Sequence, residues 1–185
     1  MDILNDDPSK YIELLEKARM NEDVEVVHYA ITAMVELSKD YDSKLQTFER
    51  TYAAAPEDPV VLDEYCDFME NYLRQGLLEK QMERMQRNQY TLLLRKKLKR
   101  NEDLHSCICL ADNLMELEDY AGVQEILERM DRNWHRREEF WVRKILFLAV
   151  QKNGREIRNT LKQMKEEHIY LSSQSKEVLA FWLDA

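Results

Sequence analysis

Glycine and proline are scarce in this sequence, with three residues of each among 185. Average usage would give about 13 glycines and about 9 prolines, so the chain has few turn-forming residues. Leucine occurs 24 times, against 23 for valine, isoleucine and threonine together. Because leucine favours helices and β-branched residues favour strands, the composition predicts an all-α fold. The shortage of glycine also excludes phosphate-binding loops of the G-x-x-x-x-G-K and G-x-G-x-x-G kinds.

Long apolar runs and a disulfide framework are missing as well. No apolar stretch approaches the roughly 20 residues of a membrane span, and the first seven residues lack the basic and apolar regions of a signal peptide. Three cysteines, an odd number in a chain of this length, favour a reducing compartment. We therefore expect a cytoplasmic protein, which associates with a membrane only through a missing anchor or a partner.

The net charge of −9 is unevenly distributed along the chain. Residues 1–76 carry 18 acidic and 7 basic side chains, residues 77–100 carry 2 and 8, and residues 101–185 carry 16 and 12. The basic segment has the charge to meet phosphates or acidic headgroups. A basic helix inside an acidic chain more often complements its own neighbours or a protein partner, so we expect no nucleic-acid binding.

Capping residues and prolines divide the chain into predicted helices. Asp7 and Pro8 start a helix that runs to about Met20, and Asn21 is expected to cap a long helix over about 22–54. The remaining predicted helices cover about 59–76, 77–98, 103–117, 120–131, 137–152, 155–167 and 173–183.

Apolar residues in the long helix recur at alternating steps of three and four, which is a heptad pattern. The pattern runs through Val24, Val27, Ile31, Met34, Ser38, Tyr41, Leu45, Phe48 and Tyr52. It leaves two interpretations open. The helix packs within the chain against its neighbours, which we favour, or it forms a coiled-coil-like homodimer in which the polar Ser38 sets the register.

Six apolar positions in the second half of the chain recur at a constant spacing, the repeat interval. Cys107, Ala111, Leu114, Val123, Leu127 and Met130 recur 34 positions later as Trp141, Ile145, Leu148, Ile157, Leu161 and Met164. This period is typical of helical hairpins that bury their apolar faces by stacking on one another. We therefore predict N-terminal helices over 1–55, continuous with hairpins and a C-terminal capping helix over 56–185.

These hairpins resemble the tetratricopeptide repeat (TPR) family. Leu110-Ala111, Leu114 and the turn Glu118-Asp119-Tyr120 fall at the family's core spacing, and residues 53–76 look like the end of one repeat and the first helix of the next. The resemblance covers about residues 40–185, although Ile145 stands where the family has a small residue. It implies antiparallel hairpins stacked in a right-handed superhelix and a non-catalytic protein-interaction scaffold.

The TPR resemblance also implies that partners bind the concave face made by the first helix of each repeat. That assignment gives Asp63, Cys66, Glu70, Leu73, His105, Ile108, Asp112, Met115, Glu139, Val142 and Leu146 as partner-binding residues. The family's chaperone-binding members hold a peptide carboxylate there with Lys, Asn and Arg, whereas these positions are mainly acidic and apolar. We therefore expect a basic or amphipathic helix or segment of another protein as the ligand. Alternatives are a peptide-binding regulator and a homodimeric adaptor.

A narrower resemblance is carried by residues 21–30, Tyr65 and the turn Gly76-Leu77-Leu78-Glu79. Together they resemble the cytosolic part of PelE-type proteins of bacterial Pel exopolysaccharide operons. This resemblance implies a TPR-bearing protein anchored in the inner membrane, with this chain at the cytosolic face of that membrane. Such proteins help to assemble a synthase complex with a cyclic-di-GMP receptor and a glycosyltransferase.

Catalytic and metal-binding patterns are not evident in the sequence. His105 and Cys109 stand at i and i+4 on one helix, but no second pair of ligands is near in sequence to complete a four-ligand zinc site. Adjacent carboxylates such as Glu138-Glu139 point about 100° apart on a helix and do not face a common substrate. The sequence therefore predicts no enzyme, no cofactor and no metal.

Overall fold

Residues 8–183 are described by a computed structural model, and in this part of the chain there are nine helices and no strand. The helices are α1 (Pro8–Arg19), α2 (Val24–Ala54), α3 (Pro59–Arg74), α4 (Lys80–Arg100), α5 (Leu104–Glu116), α6 (Tyr120–Trp134), α7 (Glu138–Val150), α8 (Gly154–Glu166) and α9 (Ser173–Leu183). The all-α prediction is confirmed. Within residues 8–183, none of the helices combines the length and apolar character needed to cross a membrane.

Contacts divide the chain into two compact units, Met1–Leu93 and Leu94–Ala185, with the boundary inside α4. In the first unit α1 packs on α2, and α2 packs on α3. In the second unit α5 packs on α6 and α7 on α8, while α7 also contacts α5 and α6, and α9 contacts α7 and α8.

The long-helix prediction is confirmed, but the cap is a different residue from the one expected. Asp23 precedes α2, and its carboxylate accepts a hydrogen bond from the backbone N–H of Glu25 at 2.8 Å. The Oδ1 atom of Asn21 accepts from the N–H of Asp23 at 2.9 Å and so stabilises the turn before the helix. The assignment of the cap to Asn21 is wrong, because two residues with capping side chains compete here and the nearer one caps. The cap predicted at Asp7 lies outside the described residues.

Aromatic rings join α2 to α3 in the first unit. Phe48 stacks on Phe68 with ring centroids 4.6 Å apart, and Tyr41 stacks on Tyr72 at 5.3 Å. The Tyr72 hydroxyl donates to the Asp42 carboxylate at 3.0 Å. Burial, together with that carboxylate, raises the pKa of Tyr72, so the hydroxyl stays protonated and keeps donating.

The heptad pattern of α2 is therefore used unequally along the helix. Tyr41 and Leu45 in its second half are buried. In its first half Val24 is 80% exposed and Ile31 is 45% exposed. Packing within the chain accounts for the second half of the pattern, whereas the first half keeps exposed apolar side chains beside α1.

The two hairpins of the second unit have matching turns. Glu118 after α5 and Lys152 after α7 both adopt a left-handed conformation, with φ of 59° and 57°. The N–H of Glu118 donates to the carbonyl of Met115 at 3.0 Å, and the N–H of Lys152 donates to that of Ala149 at 2.9 Å. These are equivalent bonds of a Schellman-type helix end, separated by one repeat interval.

The caps that follow these turns match as well. Asp119 accepts from the N–H of Gly122 at 3.0 Å, and Asn153 accepts from the N–H of Glu156 at 3.3 Å. Of the twelve apolar positions related by the repeat interval, all are buried except Leu148 and Leu161, which are half-buried. The hydrogen bonds of the turns and caps and the buried apolar positions therefore recur at the same interval as the sequence pattern.

Candidate functional site

The face predicted to bind partners in the second unit lies on α5 and α7, two helices that contact each other. His105 on α5 is exposed, and Val142 on α7 is buried. The other predicted residues of these helices are half-buried, namely Ile108, Asp112, Met115, Glu139 and Leu146. A partner at this face would meet a partly apolar surface.

The predicted residues of the first unit lie on α3 and differ more in exposure. Asp63 is exposed and Glu70 is half-buried, whereas Cys66 and Leu73 are 2% and 6% exposed. Cys66 and Leu73 are therefore part of the core, and a partner could not reach them without a rearrangement of α3. Glu70 forms an ion pair with Arg74 one helical turn along.

Arg143 on α7 neutralises the acidic group at the centre of the α5 face. Its Nη2 and Nε atoms lie 2.9 and 3.2 Å from the two carboxylate oxygens of Asp112, which is a bidentate geometry. The sequence-based expectation of an acidic face counted the charge of Asp112 but not the opposite charge of Arg143 beside it. The spacing of the two residues in the sequence could have identified this pair, because it equals one repeat interval less about one helical turn.

A second ion pair lies on the same side of α7. The Nη2 atom of Arg137 is 2.7 Å from Oε1 of Glu139, and this hydrogen bond is the main reason why the pKa of Glu139 is lowered. Each of the two predicted carboxylates on α5 and α7 is therefore matched by a guanidinium. The face combines apolar patches with charges that are already paired.

Thiol and imidazole groups meet on α5, as the i and i+4 spacing predicts. The Sγ atom of Cys109 lies 3.5 Å from Nε2 of His105. This pair supplies two of the four ligands that zinc takes. Burial raises the pKa of the neighbouring Cys107 thiol to about 11, which keeps it protonated and unreactive near neutral pH.

His135 occupies a position that sequence reasoning missed. Its Nδ1 lies 2.5 Å from the Asp131 carboxylate at the end of α6, and its Nε2 lies 2.5 Å from that of Glu167 after α8. The backbone carbonyl of His135 accepts from the indole N–H of Trp141 at 2.7 Å. The two carboxylates, Asp131 first, raise the pKa of His135. His135 and Glu167 are separated in the sequence by close to one repeat interval, and this spacing could have indicated their contact.

The basic segment of α4 forms ion pairs with its own surroundings. Arg87 lies 2.7 Å from Glu83 on the same helix, and Arg95 lies 3.2 Å from Glu125 on α6. Lys96, Lys97 and Arg100 also take part in interactions. The segment is thus partly used to complement neighbouring acidic residues.

Comparison with known proteins gives no relative. No protein-family model, no curated protein and no solved structure matches this chain. The geometry of the helices is therefore the basis for a functional proposal.

Proposed function

We propose that this chain is a non-catalytic protein-interaction scaffold built from TPR-like helical hairpins. The observation that carries the proposal is that apolar positions, turn conformations and capping bonds in the second unit all recur at the repeat interval. Repeated hairpins bury one face against their neighbours and present the other as an extended binding surface. The proposal includes a right-handed superhelical stacking of these hairpins.

The proposed binding surface is the face of α5 and α7. Its half-buried apolar side chains include Ile108, Met115 and Leu146, and its charges are paired as Asp112 with Arg143. An amphipathic segment would place its apolar side on these residues. Basic groups at its edge would compete with Arg143 for Asp112, which is 44% exposed.

Paired variants test this surface directly. Ile108→Glu with Leu146→Glu adds two charges to the face, and Gln124→Glu with Gln151→Glu adds two charges at exposed positions elsewhere in the second unit. Both variants and the wild type would be used to capture partners from a native cell extract. We expect a protein that is retained by the wild type and by the control but lost with the face variant. Equal retention by all three folded proteins would contradict the proposed surface.

We further propose, from the narrower resemblance, that the complex is one of Pel-type exopolysaccharide synthesis. Its support is the sequence of residues 21–30, in the turn before α2 and the start of that helix. Capture of a glycosyltransferase together with a cyclic-di-GMP receptor is the expected result. Capture of a defined complex that contains neither would overturn this part and leave the scaffold proposal intact.

A further inference from the structure

An open groove of about 500 Å³ runs between α1 and α2 in the first unit. Its lining includes Leu15, Ala18, Val26, Tyr29, Ala30 and Ala33. The four α2 positions in this set fall at steps of three, one and three, which places them on one face of the helix. The groove is therefore a continuous strip along α2 bordered by α1.

Small side chains form the floor of the groove and larger ones its wall. Ala30 is 3% exposed, and Ala18 and Ala33 are half-buried. Tyr29 is 73% exposed and Val26 is 37% exposed, although both are large and apolar enough to gain from burial. The groove therefore combines unfilled volume with exposed apolar side chains that a ligand could bury.

Among the described side chains, the charges near the groove that form no ion pair are mostly negative, with Lys39, about one turn after Glu36, as the exception. Lys17 and Arg19, the basic residues of α1 next to the groove, form ion pairs with the α1 carboxylates at positions 13 and 16. The carboxylates of Glu22, Glu25 and Glu36 are exposed and form no ion pair within residues 8–183. Glu36 itself lines the groove. An apolar floor with an acidic rim complements an apolar strip flanked by positive charge.

We infer that this groove is a docking site for a basic amphipathic helix of another protein. The inference rests on the proposed scaffold function and adds a second contact surface to it. Val26 and Glu36 are ten residues apart, which is about 15 Å of helix, so about three turns of a partner helix fill the strip. A second copy of this chain fits less well, because a two-fold interface would place the acidic rim against itself.

A synthetic peptide tests the inference on the full chain. The probe is a fluorescent amphipathic peptide of about 15 residues, with Leu and Ala on one face and Lys on its flanks. Its matched twin has Glu in place of every Lys. We expect saturable binding of the Lys peptide, at least tenfold weaker binding of the Glu twin, and a loss of affinity as salt rises. Equal affinities for the two peptides would overturn the inference.

Two variants with the same charge change locate the binding site. Tyr29→Lys with Glu36→Lys alters the wall and rim of the groove, and Val35→Lys with Glu64→Lys makes equivalent changes at exposed positions outside it. We expect the groove variant to bind the Lys peptide at least tenfold more weakly and the control to bind within about twofold of the wild type. Equal weakening in both variants would mean that only net charge matters, and the inference would be wrong.

The same measurements separate this inference from the scaffold proposal. If the variant with Ile108→Glu and Leu146→Glu loses affinity for the Lys peptide while the groove variant keeps it, the peptide binds α5 and α7. That result overturns the groove and supports the proposed function. If the groove variant abolishes peptide binding while the α5 and α7 variant still retains every partner, the groove stands and the proposed surface fails. Light scattering adds one further outcome. A dimeric wild type and a monomeric groove variant would identify a second copy as the occupant and overturn the inference.

Discussion

At the scale of single residues, Gly122 is a glycine that close packing requires, although its backbone conformation does not. It lies in the first turn of α6 and is buried. A Cβ atom there would lie 2.7 Å from Oδ2 of Asp119 and 3.1 Å from Cδ1 of Leu114. The capping carboxylate would have to give way, although it holds the N–H of Gly122 itself.

We predict that Gly122→Ala lowers the free energy of unfolding by about 1–3 kcal/mol, because overpacking would disturb the Asp119 cap. The matched control is Gly154→Ala in the equivalent turn of the next hairpin. A Cβ there meets only Arg158, at 3.9 Å, so alanine should be neutral or stabilise by about 0.5 kcal/mol. Urea denaturation of both variants measures the difference. Similar values for the two variants would contradict the role assigned to crowding.

At the scale of helices, His135 ties the end of α6 to the end of α8 through Asp131 and Glu167. Because its pKa is raised in the folded chain, the stabilisation is fully present below the unfolded value of about 6.5. It is lost as pH rises through the higher folded value. The pKa of Glu167 is lowered, by Gln163 first and His135 second, so its contribution is present above the unfolded carboxyl value and lost in acid.

We therefore predict that the stability advantage of the wild type over His135→Gln is larger at about pH 5.5 than at about pH 8.5. Comparison of the two proteins at each pH cancels the titration of groups that both contain. Chemical denaturation at the two pH values measures the advantage, and NMR titration of the His135 ring gives the folded pKa. An advantage that is independent of pH would show that the imidazole charge does not contribute.

The second half of α2 packs against α3, which leaves little of its heptad pattern for a partner helix. Tyr41 and Leu45 are buried, and Ser38 is half-buried beside them. We predict that the 22.3 kDa chain is monomeric by light scattering and that Ile31→Glu, at a 45% exposed position, leaves the mass unchanged. A wild-type dimer converted to a monomer by Ile31→Glu would instead support the coiled-coil interpretation.

At the scale of the whole molecule, features that follow the repeat interval could be predicted from the sequence, and features that depend on how one helix packs against its neighbours could not. The scarcity of glycine and proline predicted an all-α chain, and the repeat interval marked the turns at Glu118 and Lys152. The spacing of Arg143 and Asp112 is close to the repeat interval and indicates that they are neighbours, but their bidentate geometry depends on which faces of α5 and α7 meet. Burial of Cys66 and Leu73 depends on packing around α3, which a repeat spacing does not specify.

The density of buried side chains differs along the chain and predicts an uneven distribution of local stability. In the second unit, buried residues occur throughout α5, α6 and α7, whereas Ala30 is the one buried residue in positions 24–36 of α2. Segments with few buried apolar contacts open at lower free-energy cost, so their amides exchange sooner. Hydrogen exchange followed by mass spectrometry should show early exchange at positions 24–36 and strong protection of α5–α7.

Addition of the Lys peptide should then slow exchange at positions 24–36, since docking in the groove stabilises only the closed form of that segment. The Glu twin is the control and should leave the exchange pattern unchanged. Protection that appears in α5 and α7 instead would assign the peptide to the other proposed surface. If positions 24–36 already exchange as slowly as α5–α7 without peptide, local stability does not follow the density of buried side chains in this chain.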